Sequence, residues 1–260
     1  MCGILAYLGK ADAWPVLSRG VRRLNQEGCT HADLTILAPP ARFFRYSGHI
    51  EALAAPESGF AGQIGLCFTF KSWGAPAFRT ENLCDHDRLI LVFKGQVTNI
   101  EDIQNALFRQ ELATESDSHS LILLKWILDI QESFDLPLWD AVYYASKEMA
   151  GTFSMVVYDR KDPTRLVALQ KGEPLTIGLS ENGCLVASEV FPVAEHTRRV
   201  LFLGENEIAV VRRNGIEHIS TLNNEHIRPQ FQELEVDTSA LADFQPVLRS
   251  AIFPGAVGAS

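Results

Sequence analysis

Met1-Cys2-Gly3-Ile4-Leu5-Ala6-Tyr7-Leu8-Gly9 opens the chain. Residues 2–9 form a short, mostly apolar run of the kind that makes a strand. A strand holds the residue at its head rigidly, and here that residue is a cysteine. The small side chain at position 2 permits removal of Met1, which makes Cys2 N-terminal. An α-amine, with an ordinary pKa of ~7.7–8.0, can then act as general base for the thiol of the same residue. Gly3 leaves the backbone open to close approach by a substrate. The bland alternative is an incidental cysteine at a frayed terminus.

Downstream, Ala13, Val16, Leu17, Val21 and Leu24 fall near helical spacing within residues 12–27, with Asp12 as the cap. Residues 33–38 read as a strand before Pro39-Pro40, and residues 62–69 and 88–94 as two more. The last is apolar through its middle, as in a strand buried on both faces. Helices are expected over about 99–112, 117–132 and 137–149. A strand over 152–158, a polar turn over 159–165 and further strands up to about residue 211 follow. The tail from Arg228 has weak periodicity and is expected to be loosely held. Strands, a helical block and strands again suggest two sheets with helices outside them.

Composition narrows the class. The chain has 260 residues, 47% hydrophobic and 21% charged, ordinary for a soluble globular protein. There is no apolar run of ~18 residues, so no transmembrane helix is expected. The opening lacks a basic stretch and a long apolar one, so no signal peptide is expected. A net charge of −9 argues against a nucleic-acid surface. The five cysteines are odd in number and contain no C-x-x-C pair, which argues against a disulfide framework or structural zinc and for a reducing cytoplasm.

Later segments settle how Cys2 is read. Asp162-Pro163-Thr164-Arg165-Leu166-Val167-Ala168 leads into Lys171-Gly172-Glu173-Pro174-Leu175-Thr176-Ile177-Gly178. Val186-Ala187-Ser188-Glu189 and Glu195-His196-Thr197-Arg198-Arg199-Val200 follow. With the opening residues and Val21-Arg22-Arg23-Leu24, this order and spacing resembles class II glutamine amidotransferases. Within that family it is most similar to the glutaminase domain of glucosamine-6-phosphate synthase. The likeness spans residues 2–212. It implies an α/β (α+β) fold, the four-layer α/β/β/α sandwich of N-terminal-nucleophile hydrolases. Residues 213–260 are expected to be a C-terminal extension without an ammonia-acceptor domain. The resemblance also implies a reaction in which Cys2 attacks a side-chain amide, forms a thioester and releases ammonia, with no metal and no cofactor.

Four departures qualify that implication. The family's Thr-Arg-Trp-Ala-Thr-His-Gly stretch reads Phe68-Thr69-Phe70-Lys71-Ser72-Trp73-Gly74, so Thr69 replaces the arginine that holds the glutamine carboxylate. Ser72 and Trp73 are expected to shape the pocket wall. The family's His-Asn-Gly reads Phe93-Lys94-Gly95. Gly95 keeps its backbone N–H for the oxyanion, but Lys94 replaces an amide donor, and losing such a donor costs ~100–1000-fold in rate. Lys94 either assists the oxyanion or points to solvent. The family's Thr-Asp-Thr-Glu reads Ser116-Asp117-Ser118-His119. Asp117 then either binds a substrate ammonium or, with Ser116, caps a helix. Finally, Arg-Gly-Tyr-Asp-Ser becomes Glu27-Gly28-Cys29-Thr30-His31, reversing a charge near the pocket mouth. Asp85-His86-Asp87 reads as a solvated loop rather than a metal site, His196 as structural, and Cys29, Cys67, Cys84 and Cys184 as buried small hydrophobes.

The expectation is therefore a stand-alone, cytoplasmic amidotransferase-like protein that cleaves glutamine or a related γ-glutamyl amide. It would pass ammonia to a separate synthase subunit, with no nucleic acid or membrane as partner. An amidase acting on a different amide and a catalytically inactive binding homologue are the alternatives.

Overall fold

The computed structural model describes residues 3–25, 29–38, 42–55, 62–71, 83–86, 88–115 and 117–235. Cys2, Glu27, Gly28, Ser72, Trp73, Asp87, Ser116 and the tail beyond residue 235 lie outside the described residues. The strands are β1 Gly3–Gly9, β2 His31–Ala38, β3 Arg42–His49, β4 Ile64–Phe70, β5 Leu83–His86, β6 Leu89–Val97, β7 Gly151–Asp159, β8 Arg165–Lys171, β9 Thr176–Ser180, β10 Gly183–Ala187, β11 Arg199–Phe202, β12 Glu207–Arg212, β13 Gly215–Thr221 and β14 Gln232–Glu233. The helices are α1 Ala13–Asn25, α2 Ile100–Arg109, α3 His119–Ser133, α4 Leu138–Glu148 and α5 Val190–His196.

Two sheets form, with strand orders β14-β11-β9-β10-β1-β4-β2-β3 and β13-β12-β8-β7-β6-β5. The period of two in each strand assigns every side chain to a layer. In β1, Ile4, Ala6 and Leu8 meet Phe68, Ile90, Val92 and Val156 between the sheets. Leu5 and Tyr7 point the other way, into a core closed by Leu17, Val21 and Leu24 of α1 and Val193 of α5. In β6, Leu89, Leu91 and Phe93 pack against Ile103, Ile122, Leu123, Ile127 and Val142 of the other three helices. The result is the expected α/β/β/α sandwich. Both faces of each sheet are covered, which is why β1 and the first half of β6 read as nearly continuous apolar runs.

Several elements differ from the sequence expectation. β3 pairs with β2 along its length at the sheet edge, although Arg42 and Arg45 interrupt its apolar pattern. Phe44 and Tyr46, two residues apart, still pack on the α1 side. β5 likewise adds a short edge strand beside β6, so Asp85 and His86 lie in a ladder rather than a loop. α5 interrupts the run of strands expected up to residue 211. Its Pro192 falls in the first turn, where backbone N–H groups have no helical partner to lose. Beyond residue 212, β13 pairs with β12 and β14 with β11. Among the described residues, no helix is long and apolar enough to cross a membrane.

Candidate active site

The head of β1 is fastened on both sides. Gly3 stands opposite Thr69 of β4. A Cβ at Gly3 would lie 2.7 Å from Leu24 Cδ1 and 3.1 Å from Thr69 Oγ1, so a larger residue would require the Leu24 side chain to shift. On the other side, Ile4 N–H donates to Ser188 Oγ at 3.0 Å. Ser188 N–H donates back to Ile4 O at 3.1 Å. Ser188 is buried, and this reciprocal pair explains what the Val186-Ala187-Ser188-Glu189 segment does. It clamps the backbone that follows Cys2.

Thr69 is fully buried, and its hydroxyl lacks a hydrogen-bond partner among the described residues. Its neighbours Phe68 and Phe70 face the space between the sheets, so Thr69 faces α1. The oxygen that replaces the family's carboxylate-binding arginine therefore lies beside Gly3 and Leu24.

On the second sheet, Gly95 has φ +107°, and a Cβ there would fall 2.3 Å from Thr152 O. Only glycine fits. Gly95 is exposed, so its backbone is within reach of a ligand. Lys94 continues the Ile90 and Val92 face between the sheets, away from the side where Phe93 meets the helices. Its side chain is 12% exposed and its Nζ lies 3.0 Å from Glu173 Oε2. Lys94 is thus neither loosely solvated nor uncompensated.

Glu173, the partner of the candidate residue Lys94, was not singled out by sequence reasoning. It comes from the matched Lys171-Gly172-Glu173-Pro174 segment, which is held in place from several directions. Lys171 Nζ donates to Ser146 O at 3.1 Å and to Met149 O at 2.5 Å. Gly172 bridges Phe153, the residue opposite Gly95. The new charge at position 94 calls for a counter-charge nearby, but nothing along the chain says which residue supplies it.

Asp117 precedes α3 but does not cap it. That role falls to Ser118, whose Oγ accepts from Leu121 N–H at 3.3 Å. Both Asp117 oxygens are engaged. Oδ1 accepts from Thr114 Oγ1 at 2.9 Å, and Oδ2 accepts from Thr114 N–H at 2.9 Å and Lys125 Nζ at 2.7 Å. Burial pushes the Asp117 carboxyl pKa up, but the hydrogen bonds from Lys125 and Thr114 outweigh it and hold the pKa below the ordinary value.

The remaining candidates are structural. His196 meets Ser180 Oγ at 2.9 Å and packs edge-on against Tyr7, and burial lowers its pKa. Cys29, Cys67 and Cys184 are buried, and burial pushes the Cys184 thiol up to about 12, which leaves it protonated and unreactive. Among the described residues, no three His, Cys, Asp or Glu side chains group so as to hold a metal. A groove of about 920 Å³ lined by Lys10, Ser180, Asn182 and Arg199, among others, includes none of the candidates.

No protein-family model matches the chain. Isomerizing glutamine–fructose-6-phosphate aminotransferase of Bacteroides thetaiotaomicron is 25% identical over 250 residues, covering 93% of this chain and 40% of that protein. Its counterpart in Thermus thermophilus is 30% identical over 249 residues, covering 91% and 39%. The chain is a homologue of class II glutamine amidotransferase domains. The solved B. subtilis glutamine phosphoribosylpyrophosphate amidotransferase shares the fold of this homologue, with a TM-score of 0.68 at 17% identity over 85% of this chain and 49% of that one. The homologue spans about two-fifths of the length of the curated relatives it matches.

Proposed function

We propose that this chain hydrolyses the terminal amide of glutamine or a related side-chain amide through Cys2. The observation that carries the reading is the Ile4–Ser188 clamp, which immobilises the backbone next to the nucleophile. In this reading the α-amine of Cys2 takes the thiol proton, and the thiolate attacks the amide carbon. The oxyanion forms against the Gly95 N–H, with Lys94, steered by Glu173, adding positive charge beside it. The C–N bond breaks, and the nitrogen leaves as ammonia with the proton held by the α-amine. Water then attacks the thioester, the C–S bond breaks, and the carboxylic acid and free thiol result. Asp117 marks where the substituent at the far end of the substrate lies. In this reading Ser72 and Trp73 shape the pocket wall, as the resemblance implies, and the fully buried Thr69 supports it from behind Gly3. A separate synthase subunit that consumes the ammonia is the partner this chemistry calls for. The odd number of cysteines and the lack of a C-x-x-C pair in the sequence support a reducing, cytoplasmic setting.

The test is ammonia release from L-glutamine and from glutaramate (glutamine without its α-amino group), using the full chain with Cys2→Ala as control. Release from either amide that vanishes in the variant supports the reading. Equal, background-level release by both proteins sinks it.

A further inference from the structure

We infer that the site selects an amide whose far end carries no ammonium group, and that Lys125 sets this preference by occupying Asp117. The inference rests on the reading above, in which Cys2 attacks an amide and Asp117 faces the far end of the substrate. A carboxylate has about four places for donors. At Asp117 three are filled, by Thr114 N–H, Thr114 Oγ1 and the Lys125 ammonium. The Asp117 side chain is 9% exposed and that of Lys125 is 19% exposed, so solvent screens the pair weakly. The negative charge that would receive an α-ammonium is already balanced from within the chain.

A substrate ammonium has two routes into this position, and both are unfavourable. It displaces Lys125 from a 2.7 Å contact and leaves that lysine half-buried without its partner, or it enters beside a like charge. An amide with hydrogen or an acylated nitrogen at that carbon meets neither obstacle. Lys125 is placed for this by α3 itself. Ser118 starts the helix, and Lys125 follows on its second turn with its stem along the half-buried side and its head turned back to the residue before the cap. Neither residue is a candidate for the chemical step, so Lys125 acts on specificity through Asp117.

Calorimetric titration of the full chain carrying Cys2→Ala tests this without turnover. L-glutamine and glutaramate are the two ligands, each measured with and without Lys125→Gln. Glutamine keeps a donor at position 125 and removes the charge. With Lys125 present, glutaramate is expected to bind at least about tenfold tighter than L-glutamine, the effect of one poorly screened charge. With Lys125→Gln, L-glutamine is expected to gain about tenfold while glutaramate changes little. Tighter binding of L-glutamine with Lys125 present overturns the inference. So does an unchanged ratio in the variant, or an equal weakening of both ligands, the mark of a merely structural lysine. Binding of neither ligand by folded protein overturns the underlying amide reading, and the inference with it.

Discussion

At the head of β1, Ser188 exchanges two hydrogen bonds with the Ile4 backbone, and Gly3 lies against the Leu24 side chain, where a Cβ would press on it. At the end of β6 and the start of α3, the contacts are between charged side chains: Lys94 with Glu173, and Lys125 with Asp117. The first region depends on backbone geometry that few residues satisfy, and it matches the family in Cys2, Gly3 and Ser188. The second depends on charges that can be exchanged as long as each keeps a partner. That is where this chain departs from the family. In the proposed reading, nucleophile positioning and substrate selection are separable, one held by the backbone and the other set by side chains.

The largest expected effect breaks the first region. Ser188→Ala removes the acceptor for a buried Ile4 N–H, and an orphaned buried donor costs about 1–3 kcal/mol. We expect urea unfolding to report a loss of about 2 kcal/mol, with ammonia release falling further than stability alone explains. A loss under about 0.5 kcal/mol with full activity would mean that the clamp does not position the nucleophile.

This asymmetry also governs what was legible in the sequence. β1, β6 and the three central helices were readable because apolar periodicity reports burial directly, and the layer order followed from strands flanking a helical block. β3 and β5 were missed because edge strands bury only part of their surface, and Arg42, Arg45, Asp85 and His86 mask the pattern. α5 was missed because seven residues with a proline among them carry too short a period to distinguish helix from strand. Gly95 was legible as a motif glycine, and its positive φ supplies the physical reason. Glu173 and Lys125 were not, because a counter-ion is chosen by the fold and not by spacing along the chain. Glu173 lies 79 positions from Lys94, and no sequence rule joins them.

A double-mutant cycle with Lys94→Met and Glu173→Gln isolates the ion pair. Glu173 is 32% exposed, so the coupling is discounted for screening to about 1 kcal/mol. Unfolding of the four proteins should show the double variant losing less stability than the two single losses added together. A coupling near zero would make the pair incidental and return Lys94 to a solvated role.

The smallest expected effect is a pH dependence at Asp117. Its folded pKa lies below the ordinary 3.8, with burial opposing and the Lys125 and Thr114 hydrogen bonds prevailing. The unfolded chain therefore binds the proton more readily than the folded one, and stability falls as pH falls. The contribution is fully present above the unfolded value of about 3.9 and disappears as pH drops through the lower folded value. Asp117→Asn should accordingly be less stable than the parent at neutral pH, and the difference should shrink on acidification below about pH 4. Lys125→Gln should flatten the same profile, because it removes one of the bonds that depress the pKa while leaving both from Thr114. A gap between parent and Asp117→Asn that stays constant from about pH 7 to about pH 3 would show that the Lys125 charge is not held by Asp117. The distinction between a backbone-built nucleophile region and a charge-built selection region would then lose its clearest member.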